Sequence, residues 1–147
     1  LKRQEVTEIK ARIAVVPCKW HPMTAMENAA RDGLKHAANA TVIPVKCTGL
    51  VKVSFLLKLF ARGLDGVLVL GCKEGDCHYY NGSKRCGDIV REAREVLELA
   101  GIPGKRLRFE LISETQGKEY MRVLKDFIKQ FKAAGERRKR VAAAGNR

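Results

Sequence analysis

The chain has 147 residues, of which 46% are hydrophobic and 31% charged, and carries a formal charge of +13. That length holds one domain with a real core, and no run reaches the roughly 18 apolar residues that a membrane span needs. So strong a basic excess puts nucleic acid among the partners to consider. No strand, however, shows the aromatic-studded face that stacks bases, so nucleic acid is not the favoured partner.

Residues 1–11 read as a polar lead-in or linker. They lack the apolar stretch of a signal peptide, and the five cysteines form an odd set. Together these predict reduced thiols and a cytoplasmic location rather than a disulfide framework. Any membrane association would run through partner subunits. The missing initiating Met fits a processed product or a domain of a longer polypeptide.

The first strand is Ile13-Ala14-Val15-Val16, closed by Pro17-Cys18. A helix is expected over 24–38, with Thr24 and Glu27 as a capping box and Gly33 tolerated inside it. Thr41-Val42-Ile43-Pro44-Val45 is the second strand, ending at Lys46-Cys47, and Pro44 assigns it to a sheet edge. A second helix follows over 51–62. The apolar run Gly66-Val67-Leu68-Val69-Leu70 is a third, buried strand that stops at Gly71-Cys72. Helix three is expected over 83–100, the alternating strand Leu107–Ile112 after it, and a capping box at Ser113–Gln116 opens helix four, which runs to about Ala134. The tail 135–147 is basic and expected to be disordered without a partner.

Alternation of strand and helix at this pace predicts one doubly wound α/β domain over 12–134. It has a flavodoxin-like four-stranded parallel sheet of order 2-1-3-4, covered by helices on both faces. In that order the ends of strands one, two and three share one rim, so Cys18, Cys47 and Cys72 become neighbours, and Cys77 can fold back over them. Such a thiol set in a reducing compartment points to a metal or cluster site. Zinc is the rival to iron–sulfur, although structural zinc normally uses paired CxxC knuckles in smaller modules. His21 is a further candidate ligand. Trp20, Lys73 and His78 are candidate supporting residues, and Arg85 adds positive charge. Cys86 is expected to lie off the rim as a spare thiol.

Gly71-Cys72-Lys73-Glu74-Gly75-Asp76-Cys77-His78-Tyr79, preceded by Asp65-Gly66-Val67-Leu68-Val69, resembles the signature of the methyl-viologen-reducing hydrogenase delta subunit family. The resemblance extends through Cys18-Lys19-Trp20, Cys47-Thr48-Gly49 and Ser113-Glu114, over about residues 12–132. It implies a two-iron two-sulfur cluster on Cys18, Cys47, Cys72 and Cys77. It also implies an electron relay between a hydrogenase, formate dehydrogenase or similar module and the flavin-containing subunit of a heterodisulfide-reductase-type complex. His21 stands where the family usually has a second cysteine. Gly82-Ser83 stands where it has Gly-Asn, and Asp88 and Ile89 where paired arginines are expected. The layout is similar to the terminal domain of a heterodisulfide-reductase-A-like subunit of the quinone-interacting membrane-bound oxidoreductase.

No Ser-His-Asp set, paired catalytic carboxylates, Walker loop or dinucleotide fingerprint is present. The domain is therefore expected to pass electrons within a complex rather than transform a substrate. The alternatives are a docking domain with a vestigial cluster site, or a thiol-redox enzyme using Cys72 and Cys77. Met23, Leu50, Val51, Tyr79 and Tyr80 are the expected anchors for a redox partner over the rim.

Overall fold

The computed structural model describes residues 10–131. The predicted lead-in and basic tail thus fall largely outside the described residues. Four strands, β1 (Ile13–Pro17), β2 (Ala40–Val42), β3 (Gly66–Gly71) and β4 (Leu107–Leu111), form one sheet of order β2-β1-β3-β4. All three pairings are parallel, as the alternation of elements predicts. The helices are α1 (His21–Arg31), α2 (Val53–Ala61), α3 (Gly82–Leu99) and α4 (Gly117–Lys129).

Successive side chains of the central strands divide between two cores because a strand alternates its faces. Ile13 and Val15 of β1 and Leu68 and Leu70 of β3 pack with α1 and α4. Ala14 and Val16, with Val67 and Val69, pack instead with α2 and α3. Every residue of β1 and β3 is buried, which is why both read as unbroken apolar runs.

Several boundaries differ from those read in the sequence. Helix α1 begins at His21 rather than near Thr24, with Pro22 in its first turn, where a missing N–H costs nothing. Thr24 bonds back to the Trp20 carbonyl at 3.0 Å instead of capping. The helix stops at Arg31 rather than 38 because Gly33 takes φ +77° and its N–H closes onto Ala30. Strand β2 shrinks to three residues. Pro44 interrupts the ladder, which resumes only as a bridge from Val45 to Cys18. At α4 the Ser113 N–H donates to the Gln116 side chain at 2.9 Å, so half of the capping box forms. It does so as a turn before the helix, which then starts at Gly117, where Ala25 and Ala29 of α1 leave little room for a Cβ. Among the described residues no helix is long and apolar enough to cross a membrane.

Candidate metal centre

Cys18 directly follows β1, and its N–H bonds the Leu70 carbonyl at 2.9 Å, so its position is tied to the central strand β3. Cys72 directly follows β3. Its carbonyl accepts the buried Ser83 hydroxyl at 2.6 Å, which joins the end of β3 to the first turn of α3. The two sulfurs stand 3.8 Å apart. Cys47 caps a short 3₁₀ turn (Thr48–Leu50), its sulfur accepting the Gly49 N–H at 3.3 Å. Cys77 is the half-buried member of the set, and its sulfur and that of Cys47 both border Gly82.

Two glycines make space for the second pair. A Cβ on Gly82 would strike the Cys47 sulfur and come within 3.1 Å of the Cys77 sulfur. One on Gly49 would sit 2.7 Å from the Gly82 Cα. The start of α3 therefore closes onto the 3₁₀ turn only because neither residue has a side chain. Sequence reasoning missed both glycines, as well as Thr48, whose backbone N–H helps to lower the pKa of the Cys18 thiol. The available signal was small residues directly beside cysteines in Cys47-Thr48-Gly49 and Gly82-Ser83.

Backbone donors converge on the first pair. The backbone N–H of Trp20 helps to lower the pKa of the Cys18 thiol and that of His21 the Cys72 thiol, so the start of α1 acts on both. The Cys72 thiol, donating to Cys18, draws the pKa of Cys18 down to about 6, and the same contact pushes that of Cys72 up. Burial raises Cys47, and weaker repulsion from Cys77 and Cys18 adds to it. Cys18 and Cys77 thus act on both Cys47 and Cys72 across the rim. Among the described residues no three His, Cys, Asp or Glu side chains stand close enough to hold a single ion.

Trp20 stacks on His78 with ring centroids 3.8 Å apart and planes 20° apart, and His78 meets Tyr79 edge-on at 4.9 Å. The Trp20 Nε1 and His21 Nδ1 atoms are buried and have no hydrogen-bond partner among the described residues. The charge of Lys73 helps to hold the Glu119 carboxyl of α4 below its usual range, after the larger pull of Arg122. Cys86 lies beneath the rim in the α2/α3 core, where burial pushes it up to about 12 and Thr48 is its polar neighbour. Of the expected anchors, Leu50, Tyr79 and Tyr80 are exposed and Met23 is partly so. Val51 is not. Its N–H closes the 3₁₀ turn onto Thr48, which turns the side chain into the core at 5% exposure.

The family model for the methyl-viologen-reducing hydrogenase delta subunit matches residues 13–135, which includes every one of these thiols. The chain belongs to that family. It is 31% identical over 118 residues to the iron-sulfur subunit of the vhc F420-non-reducing hydrogenase of Methanococcus voltae, covering 80% of this chain and 82% of that protein. It is 30% identical over 120 residues to the iron-sulfur subunit of the F420-non-reducing hydrogenase of Archaeoglobus profundus, covering 82% and 88%. A third relative is far longer. The A-type subunit of the ferredoxin/F420H2-dependent CoB-CoM heterodisulfide reductase of Methanosarcina acetivorans is 31% identical over 121 residues, which span 80% of this chain but 15% of that one. The family thus occurs both as a separate subunit and as a segment of a large one, and its members belong to hydrogenase and heterodisulfide reductase complexes.

Proposed function

We propose that this domain relays single electrons through a two-iron two-sulfur cluster held by Cys18, Cys47, Cys72 and Cys77, inside an assembly of the hydrogenase or heterodisulfide reductase type. The observation that carries the reading is the pairing of the thiols. A tetrahedral centre with metal–sulfur bonds of about 2.3 Å separates two of its thiolates by about 3.8 Å, the spacing of Cys18 and Cys72. A binuclear cluster takes one such pair per iron, whereas a single zinc would need all four sulfurs at that mutual distance. The two hydrogenase relatives are named as iron-sulfur subunits, which supports the same choice. When bound, the cluster supplies a one-electron couple. The protein holds Cys18 and Cys72 at the ends of central strands, and the backbone N–H groups of Trp20 and His21 favour the thiolate forms of these two.

The rim offers a face for redox subunits. Tyr80, at 90% exposure, and Leu50, at 67%, flank the thiols. Exposed Lys19, Lys52, Lys84 and Arg85 outnumber Glu74 and Asp76 around them. A flavin- or cluster-bearing partner with an acidic margin would complement both features. A thiol-exchange reading would have to use Cys18 and Cys72, since Cys72 bonds to Cys18 and not to Cys77.

The test is anaerobic purification with iron, sulfide and zinc analysis. Two irons and two labile sulfides per chain, with a visible chromophore and a reduced-state EPR signal, are expected. One zinc per chain and no iron would overturn the reading.

A further inference from the structure

We propose that the indole N–H of Trp20 donates a hydrogen bond to a sulfur of the cluster and thereby sets the potential at which the cluster accepts its electron. The inference rests on the iron–sulfur reading above. Trp20 Nε1 is buried and no protein group among the described residues accepts from it. Burying a donor without an acceptor is costly, and native structures rarely leave one so. Indole nitrogen can only donate; it neither ligates a metal nor titrates. That separates Trp20 from His21, whose Nδ1 is equally unpaired but could do either.

The ring's placement narrows what the acceptor can be. Trp20 is the second residue after Cys18, and its ring stacks on His78, the residue after Cys77. Lys19 Nζ stands 5.2 Å from the ring centroid, holding a cation against the π-face. The indole therefore links the β1–α1 loop, which follows Cys18, to the loop that carries Cys77. Each of these loops carries a thiol of the set, Cys18 and Cys77, and a cluster sulfur bound there would give the indole its acceptor. Protein groups that orient and hydrogen-bond metal ligands tune the metal they surround.

The direction of the effect follows from charge. Reduction adds one negative charge to the cluster, and a hydrogen bond to sulfur strengthens as that charge grows. Loss of the N–H therefore disfavours reduction. The experiment compares iron- and sulfide-loaded wild type with Trp20→Phe and with 3-benzothienylalanine at position 20, which replaces the N–H by sulfur and keeps the bicyclic ring. Midpoints are read by dye-mediated redox titration with absorbance and EPR. At fixed ambient potential both variants are expected to show about a tenfold lower ratio of reduced to oxidised cluster, about 59 mV for a one-electron couple. The iron–sulfur Raman bands should also lose part of their shift on transfer to D₂O. If Trp20→Phe fails to load, the benzothienyl protein decides. A brown wild type whose loaded variants keep its midpoint overturns this inference alone. A wild type filled with zinc overturns the iron–sulfur reading, and this inference with it.

Discussion

The sulfur of Cys18 lies 3.8 Å from that of Cys72, across 54 positions of sequence. The contact exists because β1 and β3 are hydrogen-bonded neighbours ending at one rim. Cys18→Ser and Cys72→Ser should each abolish iron binding while leaving the far-UV circular dichroism unchanged. Cys86→Ser should keep full iron content, since that thiol is sequestered in the α2/α3 core. Iron analysis of the three proteins, purified in parallel, checks the assignment. Full iron in Cys72→Ser would exclude it as a ligand.

Two glycines of α3 should respond in opposite ways to alanine. At Gly82 the added methyl meets the Cys47 and Cys77 sulfurs, an overpacking that costs about 1–3 kcal/mol and displaces the second thiol pair. At Gly87 the nearest atom is 3.6 Å away on Phe109, ordinary contact in a helix interior, so alanine there should stabilise by up to about 1 kcal/mol. Urea midpoints and iron content of the two variants separate a lost site from a lost fold.

Tyr80 combines φ +73° with a ring that is 90% exposed. A left-handed conformation costs an ordinary L-residue about 1 kcal/mol, and Asn tolerates it better. Tyr80→Asn should therefore leave the isolated chain as stable or more stable, while weakening partner binding at least tenfold. Thermal melts and titration against the cognate redox partner give the two readouts. Unchanged binding would remove Tyr80 from the docking face.

Asp126 accepts from Arg108 at 2.8 Å, and that bond holds its carboxyl below the usual range. A depressed carboxylate contributes stability that is present above its unfolded value and lost as pH falls through the folded one. Asp126 is fully exposed, so the effect is small. Wild type should exceed Asp126→Asn in urea midpoint at pH 6, and the gap should close below the carboxylate range. A gap that persists at pH 2 would mean that the pair contributes by packing, not charge.

The legible parts of this fold were those dictated by period and burial. β3 reads as a strand because all six of its residues are buried, and the rim follows from parallel order alone. Local backbone chemistry was harder to read. Thr24 looked like a cap, yet Pro22 just before it already marked the true start of α1. That shift matters to the site, because it is the start of α1 that acts on Cys18 and Cys72. Gly33 looked like a tolerated interior glycine and is in fact the helix stop. The space for Cys47 and Cys77 was not legible, since it comes from two glycines, Gly49 and Gly82, that meet only in three dimensions. Val51 misled for a similar reason: an apolar residue beside exposed Leu50 gives no sign that the turn rotates it inward.

The two cores lie on opposite faces of one thin sheet, α1 and α4 against one and α2 and α3 against the other. The thiol pairs straddle that division: Cys18 and Cys72 stand at the start of α1, Cys47 and Cys77 at the start of α3. Anything bonded to both pairs is a rivet through the laminate. Without it, each layer can breathe on its own, as separately cooperative units do. With it, opening either layer strains the other, so amides of α4 and α2, remote from any sulfur, should exchange together and more slowly. The cofactor would then be part of the mechanical frame as well as its cargo.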